Sequence, residues 1–169
     1  MKEMISGDFT IKIKPFHILN QDRQKTYEEY KVPLQIGEMD IYKNGKAYIK
    51  LFDESSFAFE NFEPSVELFI EKSKSGKTKV FLVYRNGFSV FNGFFSEEEK
   101  NQFSIYDIGG CNRLGALETI GINNDISNDG GKLVLRFKAT HSCFVNTLGI
   151  IEISVNKIPH MEKIEKIYS

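Results

Sequence analysis

Apolar and polar residues alternate along most of this chain, and the alternating runs are divided by turn residues rather than by helical stretches. Successive side chains of a strand point to opposite faces, so a period of two turns one face to a core and the other to solvent. In FTIKIK, Phe9, Ile11 and Ile13 share one face and Thr10, Lys12 and Lys14 the other, as far as Pro15, which has no amide to give to a ladder. KLVLRFKA sets Leu133, Leu135 and Phe137 against Arg136 and Lys138, and LGIIEISV sets Ile151, Ile153 and Val155 against Glu152 and Ser154. TKVFLVY is apolar on both sides, the pattern of a strand covered on both faces.

The turns are equally legible. In MDIYKNGKAYIKLF two alternating runs meet at Asn44-Gly45, the pair that best tolerates the two positive φ angles of a type I′ hairpin. Asn86-Gly87 marks a second hairpin, and KSGK, before TKVFLVY, a further turn. Helix is expected only briefly. Ser96 followed by Glu97, Glu98 and Glu99 has the form of a capping box, and QDRQKTYEEY suits a short helix or a surface loop. After Pro159, Met161, Ile164 and Tyr168 have the spacing of a short helix.

Roughly nine to eleven short strands with close turns predict an all-β, mainly antiparallel fold. It is a β-sandwich, jelly-roll-like, or a closed barrel, with one or two short helices. Residues 1–157 form the domain and 158–169 a helical tail. With 169 residues, one domain is the expectation, and 41% hydrophobic against 27% charged residues is globular usage. The aromatic complement is biased: 15 Phe and no Trp, which favours a core over a sugar-stacking surface.

The charge balance, 22 basic against 23 acidic residues, leaves no excess to neutralise phosphates, so general nucleic-acid binding is disfavoured. No apolar run approaches the roughly 20 residues of a membrane span, and MKEMISGDFTIKIK carries no signal-peptide core. No membrane insertion and a cytoplasmic location, or residence in an assembled particle, are therefore expected.

Several constellations could carry chemistry. IYDIGGCNRLGALETIG places Cys111 after two glycines. A nucleophilic cysteine needs a nearby imidazole or a helix N-terminus to form its thiolate. NRLGALETIG reads poorly as a helix, and His141 and His17 are remote in sequence. The preferred reading is a glycine-permitted bend with Cys111 packed inside. His141 and Cys143 share a face of a strand and could offer two metal ligands with Cys111 as a third, but no Cys-x-x-Cys pair announces such a site. Asp125, Ser127, Asp129 and Gly130 match the first half of a calcium loop; Arg136 stands where its bidentate Glu belongs. A polar turn is the simpler reading. There is no glycine-rich phosphate loop and no Gly-x-Ser-x-Gly. No cofactor is expected.

By this account the first expectation is a non-catalytic β-protein acting by protein–protein contact. It would be a subunit of a larger assembly, such as a phage virion component, or an inhibitor or immunity partner. Its contact surface is expected at Phe57, Phe59 and Phe62 with Met161, Ile164 and Tyr168 of the tail. The first alternative is a barrel that binds a small apolar ligand among its phenylalanines. The second is a cysteine-dependent enzyme using Cys111 with His141 or His17.

Overall fold

The computed structural model describes residues 2–15, 26–32, 36–53, 62–141 and 144–158. They form eleven strands: β1 (Lys2–Pro15), β2 (Glu28–Val32), β3 (Ile36–Ile41), β4 (Ala47–Phe52), β5 (Ser65–Lys72), β6 (Thr78–Arg85), β7 (Ser89–Ser96), β8 (Asn101–Asp107), β9 (Asn112–Asn124), β10 (Gly130–His141) and β11 (Phe144–Lys157). From β3 to β11 each strand pairs antiparallel with the next in sequence. β1 then joins the two ends. Its first residues pair with β3, from Lys2↔Asp40 to Ser6↔Ile36, and most of its length pairs with β11, from Ile5↔Lys157 to Pro15↔Thr147. β2 pairs with β1 beyond β3, from Phe9↔Val32 to Ile13↔Glu28.

The all-β, antiparallel expectation holds. Of the forms it allowed, a consecutive meander whose last strand returns to its first is the closed barrel, since jelly rolls need crossovers between two sheets. Closure leaves β2, paired only with β1 among the described residues, as the strand with an open edge.

The alternation read from the sequence places the core. Across β3 to β6 the register aligns Met39, Ile49, Leu68 and Leu82 in one inward row, all buried. Phe9, Phe95, Leu133, Leu135 and Ile153 extend the same interior. Space for the large side chains comes from inward glycines opposite them: Gly93 faces Leu82, Gly115 faces Phe103 and Gly149 faces Phe137.

On the outside, the register sets Tyr48, Phe69, Phe81 and Phe94 side by side on β4 to β7. Tyr48 and Phe69 lie 4.9 Å apart between ring centroids, and Phe69 and Phe81 6.1 Å. Ion pairs flank this row on both sides, Lys50 and Arg85 with Glu67 above it and Lys46 with Glu71 below. Such cross-strand pairs stabilise a sheet by about 0.2–1 kcal/mol each.

Several local expectations are corrected. TKVFLVY is covered on both faces only in part: of its outward residues Val83 is buried, whereas Phe81 is 36% exposed. Ser96 starts no helix but ends β7. Its hydroxyl still accepts the Glu98 amide as a cap would, at 3.2 Å, yet β8 resumes at Asn101 and leaves no room for a turn of helix. Glu97 instead accepts the Ile122 amide, at 2.7 Å, beside an irregularity in β9. Within QDRQKTYEEY, Glu28 to Tyr30 belong to β2. The hairpin at Asn44-Gly45 is present in a different form, because no residue other than glycine has positive φ among the described residues. The turn is centred on Lys43 and Asn44, and Gly45 follows in the left-handed region at φ 82°. The expected helical tail lies outside the described residues, apart from Ile158, which is buried.

Candidate functional site

The interior is packed at one end and open at the other. At the end where β1 finishes, β6 turns into β7 and β8 into β9, the barrel holds a cavity of about 520 Å³. β1 contributes Phe9, Ile11 and Ile13 to its wall, the same three residues that share a face in FTIKIK. Opposite them stand Leu82 and Tyr84 of β6 and Phe91 of β7; Phe103 and Phe137 complete the aromatic lining. Phe91 and Phe103 stack with centroids 5.9 Å apart, and Phe137 meets Phe95 of the packed end edge-on at 5.5 Å.

The glycines explain why the lumen stays open. The Phe103 ring lies where a Cβ on Gly115 would be, and the Phe137 ring does the same over Gly149. Each ring therefore rests on the wall opposite its own strand position instead of filling the centre.

Polar groups gather at the rim: Asn86, Ser89, Arg113, His141 and Thr147. Some are committed locally. Asn86 Oδ1 accepts from the Phe88 and Ser89 amides and from the Ser89 hydroxyl, at 2.9, 2.8 and 3.2 Å. Arg113 Nη2 donates to both oxygens of Asp107, at 2.8 and 2.9 Å, across the β8–β9 turn. This charge-assisted pair joins opposite charges and leaves no net charge between its partners.

Deeper in the wall, Tyr84 is half-buried, and its ring meets Phe9 across the barrel at 5.0 Å and 61°. Burial holds its phenol above the ordinary tyrosine range, so the hydroxyl stays protonated at neutral pH.

The residues singled out from the sequence fall in different places. Cys111 does lie at a bend: its carbonyl accepts the Asp107 amide at 2.9 Å, and Gly110 takes φ 85°. The expectation that it packs inside is overturned, for the side chain is exposed. His141 lines the cavity whereas Cys111 does not. Phe62 is buried and stacks on Tyr106 at 6.1 Å, so it offers little contact surface. Phe57, Phe59, His17, Cys143, Met161, Ile164 and Tyr168 lie outside the described residues.

The Asp125–Gly130 segment is a tight turn. Ser127 and Gly130 exchange both backbone hydrogen bonds, at 2.9 and 3.0 Å, and the Ser127 hydroxyl is engaged with the Asp129 amide and the Gly130 carbonyl. Among the described residues, no three His, Cys, Asp or Glu side chains converge as metal ligands would.

Tyr84, Arg113 and Asp107 were missed in the sequence. The available signal was parity: Tyr84 is the polar member of the inward set Val80, Leu82, Tyr84, and Arg113 heads the inward set of β9.

No helix among the described residues is long and apolar enough to cross a membrane. No family model matches the chain, and no curated protein matches it. The crystal structure of ywiB protein from Bacillus subtilis superposes with a TM-score of 0.62 over 94% of each chain, at 13% sequence identity, so this chain is similar to that protein in fold.

Proposed function

We propose that the barrel binds one small, largely apolar molecule in the cavity at its open end and performs no chemistry on it. The observation that carries this reading is the cavity: about 520 Å³, with aromatic and aliphatic walls and polar groups confined to the rim and to Tyr84. Its size and character are those of sites that enclose small ligands, usually a few hundred Å³, mainly apolar, with few polar groups. Apolar walls of this extent are better covered by an apolar occupant than by water. The protein-contact reading drawn from the sequence keeps only Phe62 among the described residues, and Phe62 is buried.

Titration with N-phenyl-1-naphthylamine, an uncharged dye that fluoresces in apolar surroundings, tests the proposal. Saturable binding at one site per chain, with a dissociation constant in roughly the micromolar range, is expected. Emission that rises without saturating, or no emission, would overturn it.

A further inference from the structure

We propose that the Tyr84 hydroxyl is the hydrogen-bond donor that positions the ligand, and that the ligand is an uncharged molecule with a rigid, flat apolar body and one acceptor oxygen, such as a ketone or an ester. This rests on the cavity reading above and adds the chemistry of the occupant.

Three observations converge. First, the Tyr84 hydroxyl has no hydrogen-bond partner among the described residues, although the residue is half-buried and lines the cavity. A ligand acceptor that replaced water at this hydroxyl would gain about 0.5–1.5 kcal/mol net. Burial keeps the phenol protonated, so the group can only present a donor or a neutral oxygen.

Second, the charges at the rim are already matched. Arg113 is held bidentate by Asp107, with the carboxylate oxygens 2.8 and 2.9 Å from the same nitrogen. A carboxylate ligand at Arg113 would set a second negative charge beside Asp107, which is unfavourable next to an apolar wall. A neutral acceptor avoids this cost.

Third, the walls are rings. Phe9 and Tyr84 meet edge to face across the lumen, and Phe91 and Phe103 stack beside them. Aromatic walls present broad, stiff surfaces that favour offset stacking with another ring system over a flexible chain. Tyr84 is one inward position deeper than Asn86 at the rim, so the acceptor belongs to the part of the ligand inside the wall.

Three matched naphthalenes separate these points: 6-propionyl-2-dimethylaminonaphthalene, its propyl analogue without the carbonyl, and the corresponding 2-carboxylate. The ketone is expected to bind about 3–10-fold more tightly than the propyl compound, the ratio a single net hydrogen bond supplies. In Tyr84→Phe that advantage disappears. The ketone loses about 3–10-fold, the propyl compound changes less than about twofold, and the ketone's emission moves to the blue as its carbonyl loses the donor. The carboxylate is expected to be the weakest of the three. If all three bind and Tyr84→Phe treats ketone and hydrocarbon alike, or if the carboxylate binds best, the inference fails while the cavity reading stands. If none binds, both fail.

Discussion

The ring of Phe137 occupies the space that a side chain at Gly149 would need. The same holds for Phe103 over Gly115, and in each case ring and glycine are directly opposite in the register. An added methyl therefore meets a ring already wedged against neighbouring strands, with no cheap direction to move. Gly149→Ala is expected to destabilise the protein by about 1–3 kcal/mol, the usual cost of overpacking. Urea unfolding measures it, and the double variant Gly149→Ala with Phe137→Leu should cost less than the sum of the two single changes by about 1 kcal/mol. Strict additivity would mean that ring and glycine do not share the space. At this scale the sequence was half legible. The inward direction of Phe137 follows from the parity of KLVLRFKA, but which glycine lies beneath its ring depends on the pairing of β10 with β11, and no local pattern encodes that pairing. Cys111 was misplaced for a related reason: glycines announce a bend, but not whether the residue after them faces the core or solvent.

At the scale of elements, one loop recurs. In Tyr42–Lys46, Ser73–Lys77 and Asp107–Cys111 the first residue's amide donates to the last residue's carbonyl, and the fourth residue, always glycine, donates back to the first carbonyl. The glycines at these fourth positions have φ 82°, 85° and 85°. This is the three-residue hairpin loop closed by a left-handed glycine, whose twist matches that of the strands it joins. GGC, the motif that suggested a nucleophile, is thus one of three copies of a structural turn. The two glycines of the third copy should respond oppositely to alanine. Gly110→Ala forces a left-handed alanine and should cost about 1–2 kcal/mol. Gly109 has no positive φ and open space around it, so Gly109→Ala should be neutral or stabilise by up to about 1 kcal/mol by restricting the unfolded chain. Thermal unfolding of the two variants decides it; equal losses would contradict the turn assignment. Hairpins were visible in the sequence because glycine and alternation report them directly. The form at Asn44-Gly45 was not, since the strand ends decide whether the pair occupies both central positions or the second central position and the bulge. The capping box at Ser96 misled because its hydrogen bond also serves a bend between strands, and a chain only four residues from the next strand cannot propagate a helix.

For the molecule as a whole, the sequence defined the material of the barrel but not its closure. Alternation identified the inward faces of β1, β10 and β11, and the pairing of β1 with β11 then brings the two ends of the chain's strands together around one lumen. Sandwich and barrel share that alternation, so only long-range pairing separates them. The cavity is likewise a property of the assembled ring: Ile11, Ile13 and Ala139 are ordinary inward residues until the closed wall leaves space between them. Space of this kind trades stability for binding. Ala139 is half-buried on the cavity wall, and the larger side chain in Ala139→Phe would enter the lumen instead of a packed neighbour. The variant should gain about 0.5–2 kcal/mol, as cavity-filling changes commonly do, and unfold at a higher temperature. It should also lose at least about tenfold in affinity for an uncharged naphthalene dye, because protein and ligand now compete for one volume. A stabilised variant that binds the dye as before would place binding elsewhere on the molecule. A destabilised variant that no longer binds would mean that the wall at Ala139 is already close-packed, contrary to the cavity described for it. Only the opposed pair of changes, stability up and binding down, is what an open, ligand-sized lumen requires.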